Sequence, residues 1–159
     1  MRYGYFDDQA KEYVIDRVDA PVSLTNYLGT QRMGAVLSHN AGGYCWLDSP
    51  QYHRITRFRP NGVPMDFPGH YVYLRDRDSG RYWSLSWQPT GLPLNEAKYL
   101  CRHGLGYSVY ECAYEGIAAS QTVFIPRTEE GEMPVELIEV RIRNLSGRPR
   151  QLSIFGYVE

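Results

Sequence analysis

The chain has 159 residues, enough for one domain, and its 43% hydrophobic and 22% charged content is typical of a globular protein. Its net charge of −1 provides no electrostatic basis for binding nucleic acid or an anionic membrane. No apolar run approaches the roughly 18 residues of a spanning helix, and the first residues contain no apolar signal segment.

The cysteines and histidines indicate neither a disulfide framework nor a metal site. Cys45, Cys101 and Cys112 are odd in number and form no CxxC pair. We therefore expect buried thiols in a reducing compartment, which favours the cytoplasm. The four histidines are scattered, and none has the i, i+4 spacing of a helical metal site. The sequence predicts no metal and no cofactor.

The first half of the chain predicts short strands separated by turns. Strands are expected at residues 3–6, 12–15, 33–38, 44–47 and 54–59. Turns are expected at residues 7–10, 26–29 and 40–43, and Pro and Gly break the chain twice between residues 60 and 69. This spacing is typical of an antiparallel sheet.

The second half continues the same pattern. Residues 70–75 and 81–87 form the clearest predicted hairpin, and strands are expected at 105–114 and 117–125. Residues 134–144 and 151–158 are predicted to form a closing hairpin around a turn at 146–149. A helical turn is expected only at residues 94–100. The predicted fold class is all-β, an antiparallel β-sandwich rather than a barrel.

The last residues indicate a truncated domain. Glu159 lies inside the final predicted strand, where an unfinished ladder would leave backbone groups unpaired. We expect residues 1–159 to be an N-terminal β-sandwich domain, truncated at its C-terminal end, of a longer protein.

The aromatic content favours carbohydrate contact. Fourteen tyrosines and three tryptophans suit sites with one apolar face and one wet edge, as sugar rings require. The alternative is that β-sheets favour aromatic residues for packing alone.

Two clusters of residues are candidates for substrate binding or an interface. Arg57 and Arg59 would share one strand face and could bind an anion or sugar hydroxyls, unless that face is simply exposed. Arg102 and His103 lie beside two glycines in a predicted loop, whose alternative role is packing against a second domain. No phosphate loop, nucleophile elbow or HExxH motif occurs, and the paired aspartates lie in predicted turns.

The chain resembles the opening of the glycoside hydrolase family 94 phosphorylases, which include cellobiose, cellodextrin and N,N′-diacetylchitobiose phosphorylases. The resemblance covers the whole chain in order and rests on the segments YGYFDD (3–8), EYVI (12–15), NYLG (26–29), SHNAGGY (38–44), ITR (55–57) and RHGLGY (102–107). Residues 49–61 and 68–89 look most like the chitobiose branch.

The resemblance implies an enzyme several times this length, in which the β-sandwich precedes helical linkers, an (α/α) barrel and a small β-domain. It implies inverting phosphorolysis, in which inorganic phosphate attacks the anomeric carbon of a β-linked disaccharide and releases an α-sugar 1-phosphate. The acid that protonates the leaving oxygen is an aspartate of the barrel. The resemblance therefore places no catalytic residue in this chain, which is expected to be inactive alone.

The partners implied by the resemblance are the catalytic barrel, a second subunit in a homodimer, the disaccharide and phosphate. The substrate stays open among cellobiose, chitobiose, cellodextrin and cellobionic acid. The alternative function is a stand-alone carbohydrate-binding β-sandwich module that presents exposed Tyr and Trp to sugars.

Overall fold

A computed structural model describes residues 2–57, 68–127, 129 and 133–159 of the protein. Regular structure in these residues consists of strands, and none of them lies in a helix long and apolar enough to cross a membrane. The strands are β1 (Gly4–Asp7), β2 (Glu12–Ile15), β3 (Thr25–Gly29), β4 (Met33–Ser38), β5 (Gly43–Leu47), β6 (His70–Asp76), β7 (Tyr82–Ser84), β8 (Lys98–Gly104), β9 (Tyr107–Tyr114), β10 (Ile117–Phe124), β11 (Leu137–Asn144) and β12 (Leu152–Val158).

The strands form one six-stranded sheet and two three-stranded sheets. The large sheet has the order β1-β2-β8-β9-β10-β11, and the small sheets have the orders β3-β4-β5 and β12-β6-β7. Every pairing between these strands is antiparallel. An isolated bridge between Gly42 and Gly69 links the two small sheets.

Two hydrophobic clusters show how the sheets pack. In the first, Leu28 and Leu37 of the β3-β4-β5 sheet meet Tyr110 of the large sheet. In the second, Leu74 and Trp83 of the β12-β6-β7 sheet pack against residues of β8 to β11 in the large sheet. Alternation explains the arrangement, because every second residue of β9 and β10 is buried. The predicted all-β antiparallel sandwich is confirmed, with two small sheets facing one large sheet.

Two local predictions in the first half are wrong. Residues 26–29 were predicted as a turn but belong to β3, where Leu28 is fully buried and pairs with Ala35. Residues 54–57 form no strand, since Arg54 makes only an isolated bridge to Trp46. The rest of that predicted strand, residues 58–59, lies outside the described residues.

The predicted closing hairpin is also wrong. Strand β11 pairs with β10 in the large sheet, and β12 pairs with β6 in a small sheet. The turn residues between them therefore carry the chain from one layer of the sandwich to the other. Local alternation predicted both strands, but it carries no information about which sheet each strand joins.

The predicted helical turn at residues 94–100 is correct only at its start. The backbone N–H groups of Glu96 and Ala97 both donate to the carbonyl oxygen of Pro93, at 2.9 and 3.1 Å. From Lys98 onward the chain is strand β8.

Candidate functional site

Arg102 lies in strand β8, not in the predicted loop, and forms a charged cluster across three strands. Its Nη1 atom lies 3.2 Å from Glu12 Oε2, and its Nε atom lies 3.2 Å from Glu111 Oε1. The Tyr107 hydroxyl donates to Glu12 Oε1 at 2.7 Å. The Arg102 side chain is 28% exposed. Its charge is thus balanced by two carboxylates of its own domain.

His103 links the β8–β9 hairpin to the segment before β3. Its Nε2 atom lies 3.1 Å from the Leu24 carbonyl oxygen, and its Nδ1 atom lies 2.9 Å from Ser108 Oγ. The carbonyl only accepts, so Nε2 carries the proton and Nδ1 accepts from the hydroxyl. Burial lowers the pKa of His103 to about 4, so the ring is neutral at pH 7. A role for Arg102 or His103 at a substrate or subunit contact stays a prediction.

Arg57 holds the segment after β5 against the end of β12. Its backbone N–H donates to the Glu159 carbonyl oxygen at 2.7 Å, and its Nη1 donates to Glu159 Oε1 at 2.6 Å. The Arg57 side chain is 58% exposed. Arg59, predicted to act with it, lies outside the described residues. The anion or sugar site predicted for this pair stays a prediction.

An aromatic cleft that the sequence analysis missed lies on the β12-β6-β7 sheet. Tyr73, Arg75, Tyr82 and Phe155 line a cavity of about 460 Å³ together with Gly80. The register explains the cluster, because Phe155 is the partner of Tyr73 and Tyr82 is the partner of Arg75. Three aromatic rings beside one guanidinium provide stacking surfaces and hydrogen-bond donors suited to a sugar.

A larger, mostly aliphatic groove follows the large sheet. Its volume is about 1,020 Å³, and its lining includes Leu94, Leu100, Ala113, Ala118 and Ile142. The groove forms where small side chains on adjacent strands fail to fill the surface. Charged side chains, such as those of Arg141 and Arg143, border it. The surface has the composition of a contact between protein parts, with an apolar floor and a polar rim.

One of the aspartates predicted to be a turn residue, Asp76, forms a buried ion pair. Asp76, at the end of β6, accepts from Arg150 Nη2 at 2.7 Å, and both side chains are only 3% exposed. The hydroxyl of Ser79 and the N–H of Asp78 also donate to it. Arg150 holds the pKa of Asp76 down to about 2. This arrangement fixes the turn and provides no free carboxylate for catalysis.

Three ligand-type side chains converge at the other end of β6. One ligand atom each from Cys45, His70 and Glu136 lies within 4.8 Å of the other two. Burial lowers the pKa of His70 to about 4 and raises that of Glu136 to about 7. Burial also raises the pKa of Cys45 to about 11. Cys45, Cys101 and Cys112 are all free and buried, as expected.

Comparison with known proteins identifies the family. Residues 11–159 match the family model described as the supersandwich domain of glycosyl hydrolase 94. The chain belongs to this family. It is 54% identical over 159 residues to N,N'-diacetylchitobiose phosphorylase of Vibrio proteolyticus and 52% identical to the protein of that name from Vibrio furnissii. Solabiose phosphorylase of Paenibacillus borealis is 31% identical over 165 aligned residues.

The resemblance to glycoside hydrolase family 94 is therefore confirmed. The alignments cover 100% of this chain but only 19% of each Vibrio relative, and 99% of this chain with 20% of the Paenibacillus protein. The chain thus spans about a fifth of the length of these relatives, as the supersandwich domain of the family.

Proposed function

We propose that the chain is the non-catalytic N-terminal domain of an inverting phosphorylase that cleaves N,N'-diacetylchitobiose. The observation that carries this proposal is the identity of 54% and 52% to two proteins of that name, against 31% to a solabiose phosphorylase. In this reaction phosphate displaces the sugar at the anomeric carbon of the β-linkage, and the leaving oxygen takes a proton. The products are an α-sugar 1-phosphate and a free sugar.

The chemistry of the described carboxyl groups supports a catalytic acid outside this domain. An inverting displacement needs one carboxylic acid to protonate the leaving oxygen. Among the described residues, Glu136 is the carboxyl whose pKa is clearly raised, but its side chain is only 10% exposed and lies beside buried His70. A disaccharide could not reach it. Phosphate is itself the anionic nucleophile, and no further cofactor is proposed for the reaction.

We propose that the domain contacts an (α/α) barrel of the same protein and a second subunit of a homodimer. Strand β12 supports this, because both of its faces are open along most of its length. Ile154, Phe155, Tyr157 and Val158 are between 41% and 55% exposed. An edge strand with this much apolar surface is a liability unless another part of the protein covers it. The aliphatic groove of the large sheet would extend such a contact.

The activity is tested on the full-length protein with N,N'-diacetylchitobiose, cellobiose and phosphate. We expect phosphate-dependent release of N-acetylglucosamine 1-phosphate from the first sugar and little product from the second. Residues 1–159 alone should release no sugar 1-phosphate. Product formation by this domain alone, or preference for cellobiose, would contradict the proposal.

The interface is tested by Ile154→Asp, which places a charge on β12 at a side chain that is 54% exposed. The matched control is Val22→Asp, at an apolar side chain that is 61% exposed outside β12. We expect Ile154→Asp to weaken subunit association at least about tenfold by light scattering, as loss of a buried apolar contact does. Equal behaviour of the two variants would place the interface elsewhere.

A second candidate function is direct carbohydrate binding by the aromatic cleft. Tyr82 is 64% exposed at that cleft and can stack on a sugar ring. The test is calorimetric titration of the full-length protein and its Tyr82→Ala variant with chito-oligosaccharides. Tyr52→Ala is the control, since Tyr52 is 85% exposed and lies outside the cleft. Loss of a binding event in Tyr82→Ala alone would support the cleft.

The free, buried state of the three described cysteines supports a cytoplasmic location, where thiols stay reduced. Cell fractionation of the native host, with antibody detection of the full-length protein, tests this location. Recovery in the periplasmic fraction would contradict it.

A further inference from the structure

Cys45, His70 and Glu136 form a cluster at the junction of all three sheets. Cys45 belongs to β5, His70 begins β6, and Glu136 directly precedes β11. One ligand atom from each lies within 4.8 Å of the other two. The relative exposure of Cys45 is 3%, that of His70 is 0%, and the Glu136 side chain is 10% exposed. The cluster is therefore shielded from solvent.

The polar atoms of this cluster lack the partners that buried polar groups normally have. Neither ring nitrogen of His70 makes a hydrogen bond within the described part of the chain, and neither does Glu136 Oε2. His70 Nδ1 lies 3.4 Å from Glu136 Oε1, longer than a normal N–H···O hydrogen bond. An unsatisfied buried group costs free energy, so three such atoms at one point require an explanation.

We propose that Cys45 Sγ, a ring nitrogen of His70 and the Glu136 carboxylate bind a zinc ion. A sulfur, a nitrogen and an oxygen ligand suit zinc, whereas calcium and magnesium prefer oxygen ligands alone. Ligand atoms around tetrahedral zinc lie about 3.4 Å apart, given bonds of about 2.0 to 2.3 Å. His70 Nδ1 and Glu136 Oε1 already lie 3.4 Å apart, and Cys45 Sγ lies within 4.8 Å of a ligand atom of each. A water molecule would take the fourth position.

Neighbouring side chains provide suitable support for such an ion. Thr56 Oγ1 lies 3.8 Å from Cys45 Sγ and donates to it, which stabilises a thiolate. Gln121 is fully buried, and its Nε2 donates to the His70 carbonyl oxygen at 2.7 Å. Its Oε1 has no hydrogen-bond partner within the described residues.

The proposed ion has a structural role. Its ligands come from both small sheets and from the segment that enters the large sheet, so one ion would join all three. The Gly42–Gly69 bridge is the one described pairing between the two small sheets, and it lies next to this point. On binding, zinc replaces the Cys45 thiol proton, which leaves to solvent, and the metal forms a bond to the resulting thiolate.

The sequence predicted no metal site because these three residues have none of the close spacings of known metal-binding motifs. The three residues lie far apart in the chain, and only the fold brings them together. The proposal does not depend on the proposed phosphorolysis, because it concerns the stability of the domain and is tested without a substrate.

The first test is spectroscopic and uses the full-length protein without a histidine tag. After treatment with a chelator and its removal, one equivalent of Co²⁺ is added in place of zinc. We expect a sulfur-to-cobalt charge-transfer band in the near ultraviolet, absent in the Cys45→Ser variant and retained in Cys112→Ser. Cys112 is an equally buried cysteine, 3% exposed, in the other hydrophobic cluster. No band in the unmodified protein would overturn the proposal.

The second test measures zinc content by mass spectrometry of the purified protein. We expect the Cys45→Ser and His70→Gln variants each to lose about one zinc per chain, with at least a tenfold loss of affinity. Unchanged zinc content in either variant would overturn the proposal. Should the variants not fold, thiol alkylation of the unmodified protein replaces them. Zinc should then slow modification of Cys45 but not of Cys112, and equal rates with and without zinc would overturn the proposal.

Discussion

Strand β6 has a buried titratable residue at each end, and the two ends differ in how those residues are satisfied. Asp76 is 2% exposed and is bonded by Arg150, Ser79 and the N–H of Asp78. His70 is fully buried at the other end, with no hydrogen bond to its ring in the described structure. The charge of Asp76 is thus satisfied by groups of the fold itself, whereas the neutral ring of His70 has no such partner among the described residues.

The largest effect is expected from Arg150→Met, which leaves the Asp76 carboxylate buried without its cation. Stranding one partner of a buried pair is among the most destabilising single changes, so amide exchange in β6 and β12 should accelerate at least about a hundredfold. Hydrogen–deuterium exchange of the full-length protein measures this. The matched control is Arg148→Met, an exposed residue of the same turn. Equal exchange in both variants would show that the pair does not stabilise this end of β6.

An acid-dependent effect is expected from His103 rather than from Asp76. Burial lowers the pKa of His103 to about 4, and Leu24, Ser108, Cys101 and His39 are the groups around it. The unfolded chain therefore binds this proton first as the pH falls. The contribution of His103 to the free energy of unfolding is complete above pH 6.5. It falls by up to about 3 kcal/mol between pH 6.5 and about 4 and is constant at lower pH.

The test compares how the opening free energy depends on pH in the unmodified protein and in the His103→Gln variant. Local opening free energies of β8 and β9 are measured by hydrogen exchange between pH 7 and 4, with correction for the intrinsic exchange rate. The unmodified protein should lose stability relative to the variant over that range. Parallel profiles would show that His103 is solvated or protonated in the folded state. The carboxylate of Asp76, with a pKa of about 2, should stay charged throughout.

A smaller effect is expected from Arg102→Ala, since this charge is partly exposed. The change removes two ion pairs and leaves Glu12, whose side chain is 9% exposed, with the Tyr107 hydroxyl as its remaining side-chain partner among the described residues. We expect a loss of about 1 to 2 kcal/mol in the opening free energy of β2 and β8. Arg141→Ala is the control, because Arg141 is 75% exposed. If Arg102→Ala lowered the opening free energy by less than Arg141→Ala, these ion pairs would not stabilise the domain. Arg102 would then be left with its predicted role at a substrate or subunit contact.

The sequence predicted what depends on local pattern and missed what depends on long-range pairing. Alternation in residues 105–114 and 117–125 located β9 and β10, because each has one buried and one outer face. The same signal could not show that β12 joins β6, since pairing partners are set by tertiary packing. Arg102 and His103 were predicted to take part in substrate binding or an interface, which stays a prediction. The glycines that suggested a loop belong to the end of β8 and to a two-residue turn.

The candidate sites show the same limit. The aromatic cleft depends on the β6–β12 register, which places Phe155 opposite Tyr73, although Phe155 lies 82 positions further along the chain. The Cys45, His70 and Glu136 cluster depends on how β5, β6 and the segment before β11, which belong to three sheets, meet in the fold. Neither has a spacing signature in one sequence. The composition carried one signal for the cleft, the high tyrosine content that favoured carbohydrate contact, and none for the cluster.

The smallest effect is expected at the other end of β6, from the double variant His70→Leu with Glu136→Met in chelator-treated protein. These side chains make no hydrogen bond to each other and fill similar volumes to their replacements, so apolar substitution should change stability by less than about 1 kcal/mol, or increase it. Hydrogen exchange of β5 and β6 measures the change. Adding zinc should then stabilise the unmodified protein and leave the variant unchanged, because only the former retains the ligands. A loss in chelator comparable to that of Arg150→Met would mean that both ends of β6 are satisfied within the fold, and the contrast between them would disappear.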